Sequence, residues 1–112
     1  MTRKKQELPP GGVRSEVGIR VVTLQGDPGG ERWQCLVAIE SAGQHTGYTV
    51  TVTSGDLERW GRGNQPRDIM DLVVRSFEFL LEREPASSIL KSFELSVIPK
   101  YFPEYNTLFH HA

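Results

Sequence analysis

The sequence predicts an α+β domain: a three-stranded antiparallel meander, one long helix across its apolar face, and a C-terminal short helical and aromatic segment packed on that helix. Three observations predict it. Apolar and polar residues alternate in three stretches between Glu16 and Thr53, a 3.6-residue apolar period runs from Gln65 to Glu84, and the terminus gathers Tyr101, Phe102, Tyr105 and Phe109 around Pro99 and Pro103.

Strand one is "EVGIRVVTLQ". Val17, Ile19 and Val21 share one side and Arg20 takes the other, although Val22 and Leu24 make that second side partly apolar. "GDPGG" follows as dense turn chemistry, with glycines available for positive φ and Pro28 fixing its own. A hairpin into "ERWQCLVAIES" is the economical reading, with Trp33, Cys35, Val37 and Ile39 on one face. "SAGQHTG" reverses the chain again into "YTVTVTS", where Tyr48, Val50 and Val52 alternate with Thr49, Thr51 and Thr53. A Tyr/Val face wants a core and a threonine face wants water, so the meander should be covered on one side.

The cover is "QPRDIMDLVVRSFEFLLERE". Asn64 suits the N-cap, Pro66 and Asp68 suit the first turn, and Pro85 stops the helix after Glu84. At 100° per residue Ile69, Val73, Phe77 and Leu80 form one stripe. Met70, Val74 and Leu81 widen it one way, and Leu72 and Phe79 the other. The apolar arc spans roughly 220°, against the ~100° that one sheet hides. A second element or a second subunit must therefore cover the surplus. The tail offers that cover, beginning as a short helix capped by Ser87 or Ser88 and carrying Ile89, Leu90 and Phe93, while the alternation of "FELSVI" leaves a strand as the alternative over 93–98. Residues preceding proline, Ile98 and Phe102, are biased away from helix, so short pieces are expected there. Tyr101 and Tyr105 are expected to keep their hydroxyls near water.

Length and composition set bounds. At 112 residues one domain is expected, over 13–112, and folding buries roughly 65% of the unfolded surface. Residues 1–12, ending in "LPPGG", read as a disordered basic arm. No apolar run approaches the ~20 residues of a membrane span, and no apolar segment of a secretory signal follows the first charges. With the lone Cys35 unable to pair within the chain, the cytoplasm is the expected compartment.

Net charge is -1, but Arg3, Lys4 and Lys5 all lie in the first six residues with no acid among them, leaving 10 cations against 14 acids beyond those six. A nucleic-acid binder neutralises phosphates with a basic face, so any such role would fall to Arg3, Lys4 and Lys5.

Chemistry-bearing groups are sparse. Cys35 sits on an apolar strand face, as a buried inert thiol does. His45 lies in a turn, and His110 and His111 have no ligand partners at metal-site spacing, so neither metal nor cofactor is expected. Asp56 and Glu58, in the loop "SGDLERWGRGN", are the residues an enzyme would use, though no third carboxylate is placed near them. "GRGN" lacks the lysine and spacing of a phosphate loop. Trp60, flanked by Arg59 and Arg62, can anchor a partner or pack on the sheet rim, and Tyr101 and Tyr105 are the tail's candidates for partner contact.

From Gly47 to Glu84, "GYTVTVTSGDLERWGRGNQPRDIMDLVVRSFEFLLERE" resembles the core of HicB-like antitoxins. In that family a strand runs into an Asp-Leu loop, a Gly, a helix-opening Pro with an acidic residue, and an amphipathic helix on a three-stranded meander. Asp56, Leu57, Gly63, Pro66 and Asp68 match these positions. Gly55 stands where the family usually has a proline, Glu58-Arg59 replaces its Pro-Gly, and no operator-binding segment follows. The resemblance implies a small ribonuclease toxin as partner. The function expected from the sequence is a non-catalytic protein-binding or regulatory module, acting as a homodimer or with a small protein partner. It would use the open meander edge or the surplus helix face. An enzyme using Asp56 to Arg62, and a nucleic-acid binder using the arm, are the alternatives.

Overall fold

The computed structural model describes residues 18–41 and 43–109, and in it the three alternating stretches are strands. β1 (Gly18–Gly26) pairs antiparallel with β2 (Arg32–Ser41), and β2 antiparallel with β3 (Gln44–Thr53). Between β1 and β2 the Asp27 amide donates to the Arg32 carbonyl at 3.0 Å, while Gly30, at φ 72°, occupies a left-handed position that a side chain would strain. The second reversal uses Gly43 at φ 80° in the same way and is tighter than expected, so β3 begins at Gln44 rather than Tyr48.

A bulge in β1 explains its ambiguous alternation. The register shifts between Val21 and Thr23, so Val22 is the extra residue and stands 48% exposed, while Leu24 returns to the inner face opposite Cys35. Ile19 and Val21 pair with Ile39 and Val37 on that face.

The meander does not stop at three strands. β4 (Ser92–Glu94) adds to β3 in parallel, giving a four-stranded mixed sheet in the order β1-β2-β3-β4. β4 overlaps the start of "FELSVI", where the sequence leaves a strand as the alternative, but it is only three residues long and its parallel pairing with β3 is not written in that stretch. β4 exists because the helical crossover after β3 returns the chain to the same end of the sheet, which permits parallel pairing. Its Phe93 lies opposite Val50 and turns inward, its ring 5.9 Å from Phe77.

"SGDLERW" is a helix, α1 (Ser54–Trp60), and not the expected loop. The long helix, α2 (Pro66–Leu81), is capped at Gln65, not Asn64, and the Asp68 carboxylate accepts the Gln65 amide at 3.0 Å. It ends before Glu84, because Arg83 and Glu84 both donate to the Leu80 carbonyl and tighten the last turn, and Pro85 disfavours helix at Glu84. After single 3-10 turns at Ala86–Ser88 and Leu95–Val97 come α3 (Ile98–Tyr101) and α4 (Glu104–Phe109). Ile98 is helical despite preceding Pro99, whereas Phe102, before Pro103, is not.

The core lies between the sheet's inner face and α2, with Val37, Val50, Leu72, Val73 and Phe77 fully buried. The surplus flank of α2 is covered by the tail. Phe79 meets the rings of Phe102, Tyr105 and Phe109 at 6.1, 5.2 and 5.8 Å, and Tyr105 stacks on Phe109 at 4.2 Å. On the other flank Met70, Val74 and Leu81 stay half-buried. Among the described residues no helix is long and apolar enough to cross a membrane.

Candidate functional site

Asp56 is the acid that the sequence offered for chemistry, and its surroundings give it a different task. One carboxylate oxygen accepts the Thr53 amide at 2.9 Å while the Thr53 hydroxyl accepts the Asp56 amide at 3.2 Å, a reciprocal cap that holds α1. Its other oxygen accepts from Arg59 at 3.0 Å. Asp56 is 1% exposed and Glu58 is exposed, so the two do not converge. The signal was legible: Thr-x-x-Asp ahead of an apolar residue is a capping pattern.

Trp60 and Tyr105 were candidate contact residues, and both are buried. Trp60, 3% exposed, donates its indole N–H to the Asn106 side chain at 2.8 Å and packs edge-on against Tyr105 at 5.2 Å. The Tyr105 hydroxyl lies not near water but 2.8 Å from Ser76 Oγ. Ser76 donates its only hydroxyl proton to the Leu72 carbonyl at 2.7 Å, so Tyr105 is the donor to Ser76. Burial pushes the Tyr105 hydroxyl far above the ordinary tyrosine range, with the Ser76 contact opposing it. Arg59 is half-exposed and lies over the Trp60 ring at 4.8 Å, and Arg62 is exposed.

Cys35 is fully buried opposite Val50 and Leu24, and burial pushes its thiol up to about 11. An anion is that unfavourable there because nothing polar replaces its water. His45 sits beside Glu40 at 3.3 Å on the exposed end of the hairpin. Among the described residues no group of three His, Cys, Asp or Glu side chains could hold a metal ion. Arg3, Lys4, Lys5, His110 and His111 lie outside the described residues.

Among the described residues, one concave feature of the surface is an apolar groove of about 280 Å³ at the C-terminal end of α2, and a more polar hollow of about 330 Å³ lies beside Trp33 and Asp27 at the β1–β2 turn. The floor of the groove is Leu80, Ile89, Phe93 and Ile98, each buried on one side against the core. Leu90 and Tyr101 stand at its rim, 55% and 69% exposed. Glu84 and Ser88 are polar members of the wall. Of the five residues proposed for partner contact, Tyr101 alone lines it. Leu90 is not in the short helix expected there: it follows a single 3-10 turn at Ala86–Ser88, in which the Ile89 amide donates to the Ala86 carbonyl at 3.1 Å and the buried Tyr48 hydroxyl donates to the same carbonyl at 2.6 Å.

The residues that carry the antitoxin resemblance take definite places. Asp56 and Leu57 lie within α1, Pro66 opens α2 and Asp68 caps it, and a side chain at Gly63 would overlap the Asp68 carboxylate. Comparison with protein-family models, curated proteins and solved structures found no match to this chain.

Proposed function

We propose that the chain is a non-catalytic protein-binding module whose partner docks in the groove at the end of α2. The observation that carries this reading is the exposure of Leu90 and Tyr101 at the rim of an apolar cavity. Large side chains at such a rim lose water only when something covers them, and aromatic residues at concave apolar sites are the ones that dominate binding energy. The acid that an enzyme would have used is committed to capping α1, which weakens the catalytic alternative. If the antitoxin resemblance extends to function, the partner is a small ribonuclease toxin held inactive.

Site-specific photo-crosslinkers separate this from chance contact. Placed at Leu90 and Tyr101 in the native cells, they should join one protein, and the same groups at Thr49 and Thr51 on the outer sheet face should not. Equal products from both faces, or none at the groove, would refute it.

Self-association is a second reading, favoured by β1, a nine-residue edge strand whose inner residues Ile19, Val21 and Leu24 are half-buried. Sedimentation should then give a mass near twice 12.6 kDa, and a monomer at all concentrations rejects it.

A further inference from the structure

We infer that the groove takes an apolar peptide segment carrying a single cation, which pairs with Glu84. This rests on the protein-binding reading and adds the chemistry of the partner. Three features converge on it.

The first is size. A cavity of about 280 Å³ falls just short of the ~300–1,000 Å³ typical of small-molecule sites, and suits one or two large side chains of a segment lying across it.

The second is a carboxylate without a partner among the described residues. Glu84 is the carboxylate of the wall, and among the described residues its side chain makes no ion pair or hydrogen bond. The neighbouring cation is engaged elsewhere. Arg83 gives Nε to Glu104 at 2.9 Å and Nη1 to the Phe79 carbonyl at 2.9 Å, and its guanidinium lies 3.6 Å from the centre of the Phe79 ring. Arg83 thus already compensates the carbonyl end of α2, and the Glu84 carboxylate is left for a cation brought in on an apolar stem.

The third feature limits the charge to one. Lys91 and Lys100 are exposed and stand next in the chain to the rim residues Leu90 and Tyr101, outside the lining. They repel a polybasic segment and favour acids beyond the apolar anchor, so the groove selects an amphipathic segment of mixed charge.

The test uses capped, alanine-based helical peptides with two leucines four residues apart and either Lys or Glu one turn further on. They are titrated into the full chain while backbone amide resonances are followed. The Lys peptide should shift Ser88, Ile89, Leu90, Tyr101 and Phe102, and bind about three- to fivefold more tightly than the Glu peptide, as a partly exposed ion pair allows. Glu84→Lys should invert that order while leaving the thermal melt unchanged, since Glu84 lies beyond the end of α2 and only its backbone amide, which the substitution keeps, bonds to the helix. Equal affinities for the two peptides, or the same order in Glu84→Lys, would overturn the assignment of the cation. If crosslinks still form at Leu90 and Tyr101 in that case, the docking site stands without it. Shifts confined to other surfaces would overturn the site itself, and n-octylammonium binding more tightly than the Lys peptide would make the occupant a small amphiphile instead.

Discussion

Removing the Tyr105 hydroxyl tests the claim that the tail is part of the core and not an appendage. Tyr105 is 0% exposed, donates to Ser76, and touches Trp60, Phe79 and Phe109. Tyr105→Phe keeps every ring contact and deletes one buried hydrogen bond, worth about 1 kcal/mol. Ser76→Ala deletes the same bond from the other side, together with the Ser76 donation to Leu72. If the bond is real, the double variant should be less destabilised than the sum of the singles, by a coupling of about 0.5–1.5 kcal/mol. Tyr105→Ala also removes a ring at the centre of the tail cluster and should cost about 3–5 kcal/mol, a large part of the ~5–15 kcal/mol that holds a domain of this size. Urea unfolding followed both by helical circular dichroism and by tryptophan fluorescence, which Trp60 makes sensitive to this contact, measures each value. Additive single variants would refute the hydrogen bond. A Tyr105→Ala chain within about 0.5 kcal/mol of the parent would refute the structural role of the tail altogether.

Three further outcomes follow from the same packing. A chain ending at Lys91 loses β4 and the rings that cover Phe79, and should melt without a cooperative transition in calorimetry, whereas a sharp transition at the parent temperature would mean that α2 needs no cover. Thr53→Ala removes half of the α1 cap and should cost about 1 kcal/mol in urea unfolding, as should Asp56→Ala or more, since it also leaves Arg59 without its 3.0 Å partner. Cys35 titrates at about 11 in the fold against 9.0 for an ordinary thiol, so between those values the unfolded chain releases its proton and the folded chain does not. Stability should fall as pH rises through that window, Cys35→Ala should flatten the fall, and iodoacetamide should label the native thiol far more slowly than the denatured one at pH 8.

The groove was the least legible part of the molecule, and the reason is local. Tyr101 was singled out because it is a large ring in a proline-broken tail, but nothing in its neighbours distinguishes it from Tyr105, which is buried at the heart of the same tail. The two differ by where the chain bends. Four residues apart across the break at Phe102 and Pro103, they end on opposite sides of the tail. For Trp60 the sequence leaves two readings, partner anchor or packing on the sheet rim, as long as its surroundings read as loop. Once Thr53 and Asp56 cap a helix there, the indole turns inward to meet Asn106, a residue 46 positions away that no short window contains.

The sequence by itself determined the three long strands, the existence of α2 with Pro66 and Asp68 in its first turn, the one-sided cover of the sheet and the need for something to hide the wide apolar arc, because each of these is written in a period or a cap within about ten neighbouring residues. Tertiary structure decided the rest. The parallel pairing of β4 with β3, the burial of Tyr105 beside Ser76 and the open groove between Leu90 and Tyr101 depend on where α2 delivers the chain, and a pairing between distant segments leaves no local pattern to read.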